Sequence, residues 1–269
     1  PRQEGFALRV LPCIFRGAVE ILFVSTEIAP YSRASSRGEL AHVVAALPKA
    51  LRGLGHKVTV LSPLYATIDP NAHSLARRLS TLKVDVAGQE HTCIVLDGRT
   101  TGGVDLIFLG NPEIFGHDPA TATEEQRLQT ALLLSGAAAQ LAAKREPAFD
   151  IVHAHGAGAA ASLAFIKADR PALPCALQIF DPSDALEVPA DLLGKITRPA
   201  GLSQTSLLGL GAAAADVLIT GSFGTAQALL TSPLSAPSAL RETSPSVIGI
   251  VNGVDASIWN PLTDSPLVA

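Results

Sequence analysis

Short apolar runs alternate along the chain with segments whose apolar residues recur at helical spacing. Residues 19–25 hold a continuous apolar run between polar residues, which is typical of a strand buried on both faces. Between residues 40 and 54 the apolar side chains fall every three or four positions. This spacing predicts a helix that ends at Gly55, where a left-handed C-cap is easily adopted. Residues 57–63 are strand-like again, so the three segments predict a βαβ unit with parallel strands.

The alternation continues to the end of the chain. Residues 91–96 and 104–109 are strand-like and flank a turn-rich segment, which predicts a hairpin. Further helices are predicted at 124–144, 159–168 and 206–215, further strands at 151–154, 176–180, 217–220 and 247–251, and a Ser- and Pro-rich loop at 231–245. Strands that alternate with helices in this way predict an α/β fold, a doubly wound, mostly parallel Rossmann-like sheet in a single domain.

Composition and charge exclude several classes of protein. The chain is 48% hydrophobic and only 16% charged, which favours a globular fold over disorder. Its apolar runs are all shorter than the roughly 18 residues that a membrane helix needs. A formal net charge of −4 provides no basic surface for nucleic acid or for an anionic membrane. We therefore expect a soluble, cytoplasmic protein with neither nucleic acid nor membrane as a partner.

The cysteines and the first strand-to-helix connection bear on cofactors. Cys13, Cys93 and Cys175 are far apart in the sequence and show no paired spacing, which predicts buried structural thiols instead of a disulfide framework or zinc site. No G-x-G-x-x-G motif follows the first strand, which argues against a dinucleotide-dependent dehydrogenase. We expect no metal and no cofactor.

Polar residues follow several predicted strands, at the edge where open α/β sheets bind ligands. Arg33, Arg37 and Gly38 come just before the first helix, where guanidinium and backbone N–H groups could hold a phosphate; a solvated polar loop is the alternative. His153 and His155 share one face of their strand if the strand extends to position 155. No acidic or histidine cluster completes a metal site around them, so His155 is either a ligand contact or a structural histidine.

The segment 180–184 follows another predicted strand. Asp181, Ser183 and Asp184 could bind ligand hydroxyls or form an Asx-type turn. No Ser-His-Asp set in a nucleophile-elbow context and no evident pair of catalytic carboxylates accompanies them. The local chemistry alone leaves the function open.

Several motifs nevertheless resemble the ADP-glucose-using glycogen and starch synthases, in the same order along the chain. The first comprises residues 21–30 (Ile-Leu-Phe-Val-Ser-Thr-Glu-Ile-Ala-Pro), continued at 47–51 and 55–65; the second is Asp-Ile-Val-His-Ala-His at 150–155; the third is Gly-Ile-Val-Asn-Gly-Val-Asp at 249–255. The resemblance implies a GT-B architecture, in which two Rossmann-like domains face each other across a cleft. It also implies ADP-glucose and an α-1,4-glucan as partners, with glucose added to the non-reducing end and no metal required.

The resemblance also divides the chain. Residues 1–18 precede the family's usual start and are expected to be an upstream extension or a gene-model artefact. Residues 19–255 match the N-terminal domain, and residues 256–269 the start of the interdomain linker. In the family the C-terminal domain, which we expect this chain to lack, carries the basic residues that neutralise departing ADP, and such charge stabilisation is usually a large catalytic term. We therefore do not expect this chain to transfer glucose alone. A separate polypeptide could supply the second domain, or the chain could be a glucan-binding or regulatory protein.

The donor-binding motif departs from the family pattern. The family's Lys-Thr-Gly-Gly-Leu, whose lysine and glycines approach the donor phosphates, corresponds here to residues 33–40. Arg33, Arg37 and Gly38 are the donor-binding residues that this correspondence implies, with an arginine replacing the lysine. Glu39 stands in place of a glycine, where a carboxylate would repel phosphate.

The sugar-binding motifs are also altered. His155 is the one histidine kept from the family's His-Asp-Trp-His, and in the family it contacts the transferred glucose. Asp181 ends the segment that matches Thr-Ile-His-Asn, so His155 and Asp181 are the implied sugar-binding residues. The family's acidic residue near the middle helix falls on Thr123, with Glu124 as a neighbouring substitute. No catalytic residue is assigned.

Overall fold

One sheet runs through the part of the chain that the structure describes. The structure is a computed structural model, and it describes residues 17–32, 39–196, 205–231, 246–255 and 260. The strands of this part are β1 (Glu20–Ser25), β2 (Lys57–Pro63), β3 (Ala76–Val86), β4 (Gln89–Arg99), β5 (Asp105–Gly110), β6 (Ile151–His155), β7 (Cys175–Ile179), β8 (Val217–Thr220) and β9 (Ser246–Gly249). The helices are α1 (Glu39–Gly53), α2 (Pro112–Phe115), α3 (Glu124–Lys144), α4 (Ala157–Asp169), α5 (Ala190–Leu193), α6 (Leu207–Ala214) and α7 (Phe223–Thr231).

The strands lie in the order β3-β4-β5-β2-β1-β6-β7-β8-β9. β4 is antiparallel to both of its neighbours, and the other pairs are parallel. The sheet is therefore mostly parallel, as predicted. The predicted hairpin is also confirmed, although β4 extends beyond its predicted segment at both ends, β5 is shifted by one residue, and β4 forms a second hairpin with β3.

The sheet extends from β1 in both directions. The α1 crossover leads to β2 on one side, and Ile21 of β1 pairs with Ile151 of β6 on the other. Right-handed crossovers that run in opposite directions lie on opposite faces. As a result α1 packs against β1 and β2 on one face, whereas α4 packs against β1, β6 and β7 on the other, together with α3 and α6. This is the doubly wound arrangement that the alternation predicts.

Most predicted elements agree with the structure to within a residue or two. The helix predicted at 124–144 has those bounds, and the strand predicted at 57–63 does as well. β3 and the helices α2, α5 and α7 were not predicted. The predicted loop at 231–245 lies outside the described residues except for Thr231, which ends α7.

α3 is buried around more of its circumference than the predicted apolar stripe covers. Leu128, Ala131, Leu132, Ser135 and Ala139 are buried as expected, and so are other positions around the helix. The reason is that α3 lies between β2 and β3 below it and α4 beside it, so little of its circumference meets solvent. Among the described residues, no helix is both long and apolar enough to span a bilayer.

Candidate functional site

A cavity of about 360 Å³ opens at the carboxyl edge of the sheet, where the crossovers diverge from β1. This is the position at which doubly wound sheets bind ligands. Its wall combines loops that follow β1, β2, β6 and β7 with the first turns of α1, α3 and α4. The side chains with polar groups in this wall are Thr26, Glu27, Glu39, Tyr65, His117, Arg127, Thr130, Asp181 and Asp184.

Two glycines bring the N-terminus of α4 to the cavity. Gly156 has a φ of +74°, and a Cβ there would lie 2.6 Å from Leu40 Cδ1. A Cβ on Gly158 would lie 2.7 Å from Thr26 Cγ2. Larger residues would therefore separate α4 from the loop after β1. Gly156 is the N-cap and provides no side-chain hydrogen bond, so the positive end of the α4 dipole faces the cavity without a side-chain cap.

The turn after β7 presents carboxylates to the cavity in a fixed geometry. The Ser183 N–H and hydroxyl both donate to Asp181 Oδ1, at 2.9 and 2.6 Å, which forms the predicted Asx-type turn. Arg127 Nη2 donates to both carboxylate oxygens of Asp184, at 2.7 and 2.5 Å. Because Arg127 belongs to the first turn of α3, this ion pair joins α3 to the turn across the cavity wall.

Tyr65 and Glu27 line the deeper part of the cavity. Tyr65 is 3% exposed, and Glu27 is also buried. Burial, and secondly the negative charge of Glu27, raise the pKa of Tyr65 well above its usual value. The phenol therefore keeps its proton and acts as a hydrogen-bond donor at any physiological pH. Its ring lies 5.5 Å from the ring of His117.

His155 lies beneath the cavity and does not line it. It is 0% exposed, stacks on Phe23 with ring centroids 4.8 Å apart, and lies 4.1 Å from His153 on the same face of β6. Phe180, a wall residue of the cavity, lies 6.3 Å from its ring. Burial, and secondly His153, lower the pKa of His155 well below its usual value. Neither ring nitrogen of His155 has a hydrogen-bond partner among the described residues.

The other predicted site residues lie in different parts of the structure or outside the described residues. Arg33, Arg37 and Gly38 lie outside the described residues. Asp181 lines the cavity. Thr123 is the N-cap of α3 and forms a capping box with Gln126, so it has a structural part in the fold. Within the described part of the chain, no group of three or more His, Cys, Asp or Glu residues could hold a metal ion.

Sequence reasoning missed most of the cavity wall. Glu27 and Tyr65 directly follow β1 and β2, so a systematic search beyond every strand end would have found them, whereas α2 separates His117 from β5. Arg127 carries no such signal, because it comes from a helix that tertiary packing brings to the edge of the sheet.

The strand order and the alternating helices define the chain as a Rossmann-like α/β domain, with a polar cavity at its switch point. A family model described as the starch synthase catalytic domain matches residues 20–237. The chain belongs to the starch synthase catalytic domain family. This finding confirms the resemblance seen in the sequence motifs.

Individual relatives support the same assignment. The chain is 33% identical to "Glycogen synthase 1" of Geobacter sulfurreducens, over 93% of this chain and 54% of that protein. It is 30% identical to "Glycogen synthase" of Koribacter versatilis, over 93% of this chain and 55% of that protein. The catalytic domain of Starch Synthase IV from Arabidopsis thaliana, solved with ADP and acarbose, has the same fold, with a TM-score of 0.74 and 21% identity over 93% of this chain. The chain thus spans about half the length of the curated relatives it matches.

Proposed function

We propose that residues 19–255 form one half of a glucosyltransferase, the half that holds the sugar. Completed by a second domain, it would transfer glucose from ADP-glucose to the non-reducing end of an α-1,4-glucan. Alone, this chain would bind glucan without transferring glucose. The observation that carries the proposal is the set of hydrogen-bonding carboxylate and phenol groups in the cavity at the carboxyl edge of the sheet.

The polar groups of that cavity suit the hydroxyls of a sugar. Four carboxylates line it, from Glu27, Glu39, Asp181 and Asp184, and Arg127 is the one guanidinium or ammonium group among the described wall residues. Arg127 pairs with Asp184 at the wall. Carboxylates accept hydrogen bonds from sugar hydroxyls, and the protonated Tyr65 phenol can donate one. The cation that stabilises departing ADP would then come from the second domain.

The segment after β9 supports a domain boundary near residue 255. Asn252 Nδ2 donates to Glu39 Oε1 at 3.2 Å, and Lys49 Nζ lies 2.9 Å from Asp255 Oδ2. Both contacts hold the segment against α1, and the first lies at the cavity wall because Glu39 lines the cavity. A second domain that docks beside Asn252 would face the cavity.

A second candidate function is a glucan-binding or regulatory protein that never joins a second domain. Glu39 favours it, because this carboxylate lies in the cavity wall at a position where the family resemblance implies a phosphate-approaching glycine. Replacing it by glutamine removes the charge and keeps the shape. A transferase half should then bind ADP-glucose more tightly than the parent does, whereas a dedicated glucan-binding protein should not.

Titration calorimetry with maltotetraose, ADP and ADP-glucose tests the main proposal. We expect maltotetraose to bind and ADP to bind weakly or not at all. Asp181→Asn should weaken maltotetraose binding by about tenfold, in line with a charge-assisted hydrogen bond. The matched control is Asp169→Asn, since Asp169 is exposed at the end of α4 on the opposite edge of the sheet.

A transfer assay with radiolabelled ADP-glucose and glycogen tests the second part of the proposal. The purified chain should incorporate no label into glycogen. Measurable incorporation by the chain alone would refute the statement that it needs a second domain. In the calorimetry, an equal loss of maltotetraose binding in Asp181→Asn and Asp169→Asn would refute the sugar site.

A further inference from the structure

Phe180 brings an aromatic residue to the wall of the cavity at the carboxyl edge of the sheet. It directly follows β7, which ends at Ile179, and it is half-buried. Tyr65 is the other Phe, Tyr or Trp residue among the described wall residues, and it is almost fully buried. Phe180 is therefore the more accessible of these two aromatic residues to a ligand in the cavity.

One side of the Phe180 ring packs against the chain where β6 leads into α4. A Cβ on Gly156, the N-cap of α4, would lie 4.0 Å from Phe180 Cδ2. The ring centroids of Phe180 and His155 are 6.3 Å apart. Because Gly156 has no side chain, the ring can lie this close to the backbone at the start of α4.

The same packing removes His155 from the wall. His155 has no exposed surface, and both of its ring nitrogens are buried. A ligand in the cavity therefore cannot form a hydrogen bond with His155 in this structure. At this part of the wall the ligand meets Phe180 instead, whose side chain offers an apolar surface.

Hydrogen-bond acceptors stand beside Phe180 in the same short turn. Asp181 is the next residue, and the Ser183 N–H and hydroxyl both donate to its Oδ1. Asp184 follows three residues later and is held by Arg127 of α3. Phe180, Asp181 and Asp184 all line the cavity. The turn thus combines an apolar aromatic residue with two carboxylates on a segment that hydrogen bonds brace at both carboxylates.

We propose that Phe180 is a sugar-binding residue of this cavity, and that one glucose residue of the glucan stacks on the side of its ring that faces away from Gly156. A glucose ring carries its C–H bonds on two flat faces and its hydroxyls around the edge. The C–H faces suit the negative face of an aromatic ring, and the hydroxyls can donate to the carboxylates of Asp181 and Asp184. This inference rests on the proposed function and adds to it a residue and a mode of binding.

Titration calorimetry of the full chain with maltotetraose tests the contribution of the ring. Phe180→Leu keeps an apolar side chain but removes the flat aromatic face, so binding should weaken about five-fold. Phe180→Tyr keeps the ring and should bind nearly as tightly as the parent. The matched control is Phe223→Leu, which should bind as the parent does, because Phe223 is 75% exposed at the start of α7 and does not line the cavity.

Saturation-transfer NMR tests the contact itself. In a chain that is deuterated except at its phenylalanines, irradiation of the aromatic protons should transfer saturation to the C–H protons of bound maltotetraose. Phe180→Tyr in the same labelling scheme should still bind maltotetraose but lose the transfer, because the tyrosine ring carries no protons. Phe223→Leu should keep the transfer. The Tyr variant preserves the packing on Gly156, so this test holds even where Phe180→Leu does not fold.

The other outcomes separate the failure of this inference from that of the proposed function. If the parent binds no maltotetraose, both are wrong. If the parent binds and Phe180→Leu binds equally well, Phe180 only covers His155 and the inference alone is overturned. Saturation transfer that persists in Phe180→Tyr would place a different phenylalanine against the sugar and would likewise overturn it.

Discussion

The imidazole rings of His153 and His155 lie 4.1 Å apart on one face of β6, with Phe23 of the neighbouring strand 5.0 and 4.8 Å from them. Alternation along a strand places residues two apart on the same side, so the pairing follows directly from the extension of β6 to position 155. Two rings at this distance inside a buried sheet cannot both carry a charge.

Acid should therefore destabilise the fold through these histidines. The unfolded chain takes up a proton near pH 6.5, but burial lowers the pKa of His153 in the folded state to about 4. The stabilising contribution of neutral His153 is thus complete above pH 6.5 and is lost as the pH falls toward 4, by about 3 kcal/mol. Urea unfolding at several pH values between 7.5 and 4 measures this loss as a fall in the free energy of unfolding. In His153→Phe the free energy of unfolding should depend less on pH over this range. The same pH dependence in the variant and the parent would contradict the assignment of the loss to His153.

α4 and α6 should tolerate no added methyl group where they cross. A Cβ on Gly211 would lie 2.3 Å from the backbone oxygen of Ala160, so Gly211→Ala has to push the two helices apart. We expect a loss of about 1–3 kcal/mol in the free energy of unfolding. Gly53→Ala is the control, because a Cβ there meets nothing within 4 Å; it should be neutral or stabilising by up to about 1 kcal/mol. Similar values for both variants, measured by urea denaturation, would rule out the close packing.

Local signals explain which elements the sequence predicts correctly. α3 has a capping residue in Thr123, acidic residues in its first turn and Lys144 in its last, and its predicted bounds agree with the structure. β3 has a weaker signal. Apolar and polar residues alternate only in its second half, from Leu82 to Val86, whereas residues 76–81 are exposed and include two arginines. The first half becomes part of the strand by pairing with β4, and that pairing leaves no mark in the sequence of β3 itself.

The capping box of α3 gives a direct prediction. The Thr123 hydroxyl accepts from the Gln126 N–H at 3.2 Å, and Gln126 Oε1 accepts from the Thr123 N–H at 2.9 Å. Thr123→Ala should cost about 1 kcal/mol of stability, whereas Thr123→Ser should cost much less because it keeps the hydroxyl. Thermal unfolding of the two variants separates them. Equal losses would mean that the Thr123 methyl group, and not its hydroxyl, supports the helix.

The described cysteines should be chemically inert in the native protein. Cys93 and Cys175 are buried, as the sequence predicts, and burial raises their thiol pKa values to about 11 and about 12. Because the thiolate is the reactive species, a disulfide reagent at pH 8 should label neither thiol until urea is added. The assay uses Cys13→Ser, so that these two thiols are the ones reported. Full labelling within the mixing time would show that one of them reaches the surface.

The candidate site was less predictable than the fold. Asp181 could be found from its place after a strand, and it lines the cavity. The position of His155 was also predicted, but its burial beneath Phe180 depends on how the loops pack above it. Arg127 reaches the wall because the first turn of α3 lies at the carboxyl edge of the sheet, where α3 packs beside α4. Sequence position identifies the edge at which a ligand binds, whereas packing decides which side chains the ligand meets.

The central place of β1 in the sheet has a consequence for synthesis of the protein. β1 emerges from the ribosome first among the strands described, yet the Glu20 N–H bonds to Asp150, 130 residues later, and α1 is tied to Asn252 and Asp255 after the last strand. Until β6 has been translated, β1 has one neighbour and an open edge. The nascent chain must therefore keep an apolar strand from pairing with other chains while the long segment between β2 and β6 is being made. Translation speed and chaperone access over this interval would then govern how much of the protein reaches its native state.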